Sequence, residues 1–170
     1  MMVKGHLLVA TACFVIYKDV VQHGNWQFDL SLLIQYLVVM FGVLLPDIDT
    51  PDSTIGKRVK WLAYPIYFIF GHRKLTHSAL FVGGLFWLGW HYDYVLICYL
   101  SVGAGLHLLG DYLTPSGVPI FYPFGRNYRS FINADTNSIG EHILSYGSVL
   151  ISVVFVLSQA SENWQITLGF

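Results

Sequence analysis

Gly71-His72-Arg73-Lys74-Leu75-Thr76-His77-Ser78 gathers two imidazoles, two cations and two hydroxyls into eight residues of an otherwise apolar chain. Its histidines are five positions apart, which is not the i, i+4 spacing of one helical face. The spacing suits a bend entering a helix capped by Thr76 or Ser78, and such a bend lets both rings turn toward one ion. Alone, the octet also reads as a basic loop with incidental histidines. The fold follows from asking which other residues share its side of a membrane.

That a membrane is involved comes from composition. Hydrophobic residues make up 55% of the 170 and charged residues 11%, with a mean hydropathy of +0.56, outside the range of ordinary soluble proteins. The chain reads as one integral membrane domain, residues 1–170. A net charge of -1, with no dense run of Lys and Arg, excludes a nucleic-acid partner. Cys13 and Cys98 sit in apolar runs and act as small hydrophobes, so neither a disulfide nor a zinc-thiolate site is expected. Lys4 ahead of residues 7–16 imitates a signal peptide. No small-x-small pattern follows and Tyr17-Lys18-Asp19 ends the run, so it reads as a retained first helix.

Apolar runs and turn residues predict an all-α polytopic bundle of about five transmembrane helices, over residues 3–21, 28–45, 78–90, 94–113 and 141–157. Pro46 ends the second. Residues 61–70 are too few for a bilayer of roughly 30 Å and predict a re-entrant or interfacial aromatic segment. With the N-terminus inside, Lys4, Lys57, Arg58, Lys60, Arg73, Lys74, Arg126 and Arg129 are all cytoplasmic and only Lys18 lies outside, as the positive-inside bias requires.

The same threading brings His6, Asp47, Asp49, His72, His77, His107, Asp111, Glu141 and His142 to one membrane face, although they lie far apart in sequence. Ionisable groups at the centre of a span cost about 2.5 to 3.5 kcal/mol each on insertion scales and are functional candidates for that reason. His107 and Asp111, at i and i+4, share a helical face and either ligate one ion or simply bond each other. Asp47 and Asp49 straddle Ile48 after the proline; an extended turn there points both carboxylates one way, while the plain alternative is loop solvation and capping. Glu141 reads as a general base or as an acid favoured in a helix's first turn. His142 reads as a neighbour and His6 as a ligand or a polar anchor. His23 and His91 fall on the opposite face.

Histidine with carboxylate and no thiolate suits zinc first, with manganese or iron as alternatives, in one or two sites. Arg73, Lys74 and Arg126 beside such a centre, with Thr76, would hold an anion such as a phosphate. Activated water attacking a phosphoester is the reaction this chemistry favours, and the aromatic residues of 61–70 and 120–124 suggest an amphiphilic substrate at the lipid interface.

Pro46-Asp47-Ile48-Asp49, His72-Arg73-x-x-Thr76-His77-Ser78, and His107-x-x-x-Asp111 with Thr114-Pro115-x-Gly117 and Tyr122-Pro123-Phe124 together resemble the YdjM family. The family is assigned as membrane-bound metal-dependent hydrolases, some under LexA control. The resemblance runs from His6 to about Phe124 and implies that Asp47, Asp49, His72, His77, His107 and Asp111 form the family's polar signature. Lys74 departs from it, standing where family members commonly carry Gly.

These readings converge on a multi-pass protein of the bacterial-type inner membrane, N-terminus cytoplasmic, whose metal centre hydrolyses a phosphoester of a lipid or lipid-linked substrate. His6, His72, His77, His107 and Asp111 with Asp47 or Asp49 are the expected ligands, Glu141 or Asp49 the proton carrier, and Arg73 the group that steadies the phosphate. The rival is a non-catalytic metal-binding or metal-transporting protein using the same residues; a third reading is a His–Asp network that only fixes helix packing. Glycine-rich third and fourth helices could pack within one chain or between two copies.

Overall fold

The computed structural model describes residues 1–24, 26–71, 73–131 and 134–168, with the side chains at 70 and 161–168 outside the description. Among the described residues six helices form: α1 (Val3–Gln22), α2 (Leu30–Leu44), α3 (Lys60–Phe70), α4 (Ala79–His91), α5 (Val95–Tyr112) and α6 (Ile139–Leu168). No strand accompanies them among those residues; one isolated bridge pairs Val118 with Tyr128.

Local chemistry sets the boundaries. α1 stops where His23 and Gly24 turn left-handed and the Gly24 N–H donates to Asp19 O at 3.1 Å. Asp29 caps α2 by accepting from Leu32 N at 2.7 Å. Pro46 lacks the N–H that would continue α2 and opens a 3-10 turn over Pro46–Asp49. Ser78 caps α4, accepting from Phe81 N at 3.2 Å, one of the two hydroxyls the sequence offered for that role.

Packing pairs α2 with α5, α1 with α6 and α4 with α5, and α1 also touches α2 and α5. The α2–α5 crossing is tight enough to need glycine on both sides. A Cβ on Gly42 would stand 2.2 Å from Leu100 O, and one on Gly103 2.1 Å from Val39 O. Such close backbone approach is the usual way membrane helices gain contact, since burial of apolar surface gives them no driving force against lipid.

Three helical stretches are long and apolar enough to cross a bilayer: Leu30–Asp49, Val95–Tyr112 and Ile139–Ala160. α4, at 13 residues, rises about 20 Å, short of a core of roughly 30 Å. α1 is 20 residues long but includes Lys4, Lys18 and Asp19. The count of about five spans is therefore not confirmed. α3 lies against the 3-10 turn, with Ala63 fully buried and Trp61 and Phe68 at 76% and 90% exposure.

α6 extends past the 141–157 expected for it, to Leu168. No glycine or proline interrupts its helix between 148 and 168, and the polar residues after 157 read as a tail are all compatible with helix.

Candidate metal centre

The end of α2, the loop before α4, the last turns of α5 and the first turn of α1 meet at one end of the bundle. They bring together Asp47, Asp49, Arg73, Thr76, His77, His107, Asp111 and His6. His72 lies outside the described residues.

His107 Nδ1 is 2.7 Å from the Val43 carbonyl, both buried. A carbonyl can only accept, so Nδ1 carries a proton, and the ring in its neutral form presents a lone pair on Nε2. That lone pair faces oxygens: Asp111 Oδ2 at 3.6 Å and Asp47 Oδ1 at 3.8 Å. Both separations exceed hydrogen-bond length. His107 Nε2 is buried without a hydrogen-bond partner, and Asp111 Oδ2 meets only the Arg73 guanidinium, Nη2 at 3.2 Å. A lone pair on Nε2 facing these oxygens in a dry site is unfavourable unless a cation lies between them or the ring takes a second proton.

His77 completes the ring of donors. Its Nε2 is 3.8 Å from both Asp47 Oδ1 and Asp111 Oδ2, and its fully buried imidazole crosses that of His107 edge to face at 5.2 Å. On its other side Nδ1 meets Thr76 Oγ1 at 3.1 Å and Asp49 Oδ2 at 3.4 Å. This is the carboxylate–histidine arrangement by which metal-binding imidazoles are oriented. Two overlapping ligand groups result, Asp47/His77/His107 and His6/His107/Asp111, each with its ligand atoms within 4.8 Å of one another.

The two aspartates of the 3-10 turn do not act alike. An extended turn would aim both carboxylates one way, but the tighter helical turn after Pro46 separates them. Asp47 points Oδ1 at the two histidines. Asp49, 1% exposed, accepts from Arg73 N at 2.9 Å, Thr76 Oγ1 at 2.6 Å and Thr50 Oγ1 at 2.9 Å. Thr76, expected at the substrate, thus supports Asp49.

Arg73 adopts a positive φ of 52°, the bend the octet predicted, and places Nη2 3.2 Å from Asp111 Oδ2 while its side chain stays 29% exposed. It is the cation of the octet that reaches the centre. Lys74 and Arg126 are exposed. Asp111 Oδ1 in turn receives Met1 N at 2.9 Å and His6 Nε2 at 3.2 Å. The His6 ring stacks on His107 at 4.1 Å, in a space left by Gly110, whose Cβ would stand 2.5 Å from His6 Nδ1.

Glu141 is buried near this end with both oxygens engaged, Oε1 by Met2 N and Oε2 by Asn137 N, each at 2.6 Å. It closes a capping arrangement with Ser138, whose Oγ accepts from Glu141 N at 3.2 Å, and ties α6 to the start of α1. Glu141→Ala removes both acceptors and leaves the Met2 N–H without one. Thermal unfolding in detergent should register a loss of about 1 to 3 kcal/mol. An unchanged transition would mean that the tie carries no stability. His142 is exposed and stacks on Tyr146.

The Val43 carbonyl was the partner that sequence could not supply. A backbone oxygen carries no residue identity, and only the glycine pattern along α5, which brings α2 close, hinted at it.

A family model described as YdjM inner membrane protein matches residues 1–169. The inner membrane protein YdjM of Escherichia coli (strain K12) is 38% identical over 141 residues, covering 76% of this chain and 69% of that protein. The protein of the same name from Shigella flexneri gives the same figures. YvsG of Bacillus subtilis (strain 168), an uncharacterized protein, is 31% identical over 116 residues, 67% of this chain and 72% of the relative. No solved structure matches.

Proposed function

The chain belongs to the YdjM family of inner membrane proteins, and from that membership together with the buried His–Asp cluster we propose that it is a metal-dependent hydrolase acting on phosphoesters of membrane lipids or lipid-linked molecules. One observation carries the reading: His107, its proton committed to the Val43 carbonyl, turns a bare Nε2 toward two carboxylates at 3.6 and 3.8 Å. A cation between them would satisfy the Nε2 lone pair and both carboxylates without charging the ring.

His77, His107, Asp47 and Asp111 hold the ion, zinc first and manganese or iron as alternatives. Bound there, a divalent ion would lower the pKa of a water and polarise a phosphoryl oxygen. The chain's own residues do the rest. Asp49 holds His77 through Nδ1, and His6 and the Met1 nitrogen hold Asp111 from behind. Arg73, partly exposed beside Asp111, is placed to pair with a phosphate oxygen. Asp47, whose side chain is 20% exposed, is the carboxylate most open to an incoming substrate and the one available to take a proton from water.

Purified protein, stripped with chelator and reloaded with zinc, manganese or iron, should release product from phospholipid or other phosphoester substrates only when metal is present. Stoichiometric metal with no turnover on any phosphoester would replace this reading with the non-catalytic metal-binding one.

Asp49→Asn probes the support beneath the ligands. The amide offers one acceptor where Asp49 Oδ1 and Oδ2 take three hydrogen bonds, so the His77 ring loses its orientation. Metal affinity should fall about 10- to 100-fold, read by competition with a chelating dye. Unaltered affinity would place His77 outside the ligand set.

A further inference from the structure

Away from the metal centre a second charged group is buried. Lys18 is 7% exposed. Its ammonium donates to Gln35 Oε1, approaches Tyr99 Oη at 3.5 Å, and stands 5.5 to 5.8 Å from the ring centres of Phe14, Tyr17 and Tyr99. Gln35 is neutral, and ring faces attract a cation without neutralising it. Among the described residues no carboxylate lies within ion-pair distance of Lys18; the adjacent Asp19 accepts instead from Trp26 Nε1 at 2.7 Å. A cation sequestered from water with no counter-charge is a standing demand for an anion.

The three rings around that ammonium also line a cavity of about 520 Å³, within the range of small-ligand sites. Its wall follows α5 from Val95 to Leu106, about 16 Å at 1.5 Å per residue. That is close to half of a hydrocarbon core of roughly 30 Å, the depth of one leaflet. Trp90 of α4 and Asp93 of the α4–α5 turn also line it, and Asp93 is exposed.

We infer that this cavity holds one acyl chain of an amine-bearing phospholipid, its phosphate paired with Lys18 and its ammonium beside Asp93. Tyr17 and Tyr99 are at once cavity wall and ring partners of the Lys18 ammonium, so an anion seated at their edge neutralises it. The exposed carboxylate at the same end selects a zwitterionic head over a purely anionic one. The apolar remainder, past Val102 to Leu106, matches a hydrocarbon chain in chemistry. This lipid site is independent of the metal chemistry at the opposite end.

Native mass spectrometry of the detergent-solubilised protein, titrated with phosphatidylethanolamine and separately with phosphatidylglycerol, tests it. The wild type should retain one phosphatidylethanolamine and prefer it over phosphatidylglycerol. Lys18→Met should weaken retention at least tenfold, and so should Val102→Trp, which fills the cavity without touching Lys18. Thermal unfolding of both variants in detergent, matched to the wild type, reports that the bundle is intact. Equal retention in the wild type and Val102→Trp, a preference for phosphatidylglycerol, or a lipid-free dimer that Val102→Trp dissociates would each overturn the inference, the last by giving the cavity to a second copy.

Discussion

His107→Ala is expected to empty the metal centre and abolish turnover while leaving the helices folded. The substitution removes the residue common to both ligand groups, and the described residues that remain form no other group of three donors within 4.8 Å of one another. Losing a direct ligand should cost more than the 10- to 100-fold typical of supporting residues, taking stoichiometric metal to below detection after one desalting step. Stability should suffer far less. The variant loses the bond to Val43 O and the stack on His6, but it also removes a buried, unpartnered Nε2 facing two carboxylates, and deleting such an atom offsets part of the packing loss. Metal-free wild type and metal-free variant should therefore unfold at similar temperatures, whereas metal should raise the transition of the wild type alone. His142→Ala, exposed and touching only Tyr146 among the contacts described, serves as the control that should bind metal normally. Full metal occupancy in the His107 variant would return the cluster to a packing role.

The residues that could be read in advance are those whose geometry is fixed by a local rule. His107 and Asp111 share a face because a helix puts i and i+4 together, and the carboxylate–imidazole contact within α5 follows from that spacing alone. Ser78 announced the start of α4 through its position before an apolar run, and the Gly71–Ser78 bend required a residue like Arg73 to turn. The surroundings of other positions depended on neighbours distant in sequence. Asp49 looked equivalent to Asp47 until the 3-10 turn and the Thr76 hydroxyl drew it beneath His77. Glu141 had the composition of a proton carrier, yet its two oxygens are taken by backbone N–H groups of Met2 and Asn137, one of them 139 residues away. The span count went unconfirmed for a related reason. Lys18 and Asp19 lower the apolarity of α1, but both are buried against other helices and rings, so hydropathy alone could not say what surrounds that helix.

Gly103→Ala should be as damaging as losing a ligand, though it touches no ligand. Its new Cβ would lie 2.1 Å from Val39 O, 2.9 Å from Gly42 Cα and 2.9 Å from Val43 N. All three are backbone atoms, so no side chain can swing away and α2 must move off α5. Overpacking of this kind costs about 1 to 3 kcal/mol and occasionally more. The displacement is transmitted, because Val43, whose N–H would be crowded, also supplies the carbonyl that fixes the His107 tautomer one helical turn farther along α5. Metal affinity should therefore fall together with the unfolding temperature in detergent. The same change at Gly84 meets nothing within 4 Å and improves helix propensity by up to about 1 kcal/mol, so Gly84→Ala should be neutral or slightly stabilising and bind metal as the wild type does. If the two alanines behaved alike, the α2–α5 crossing could not be what aims His107, and its proton would have to be fixed by some other group.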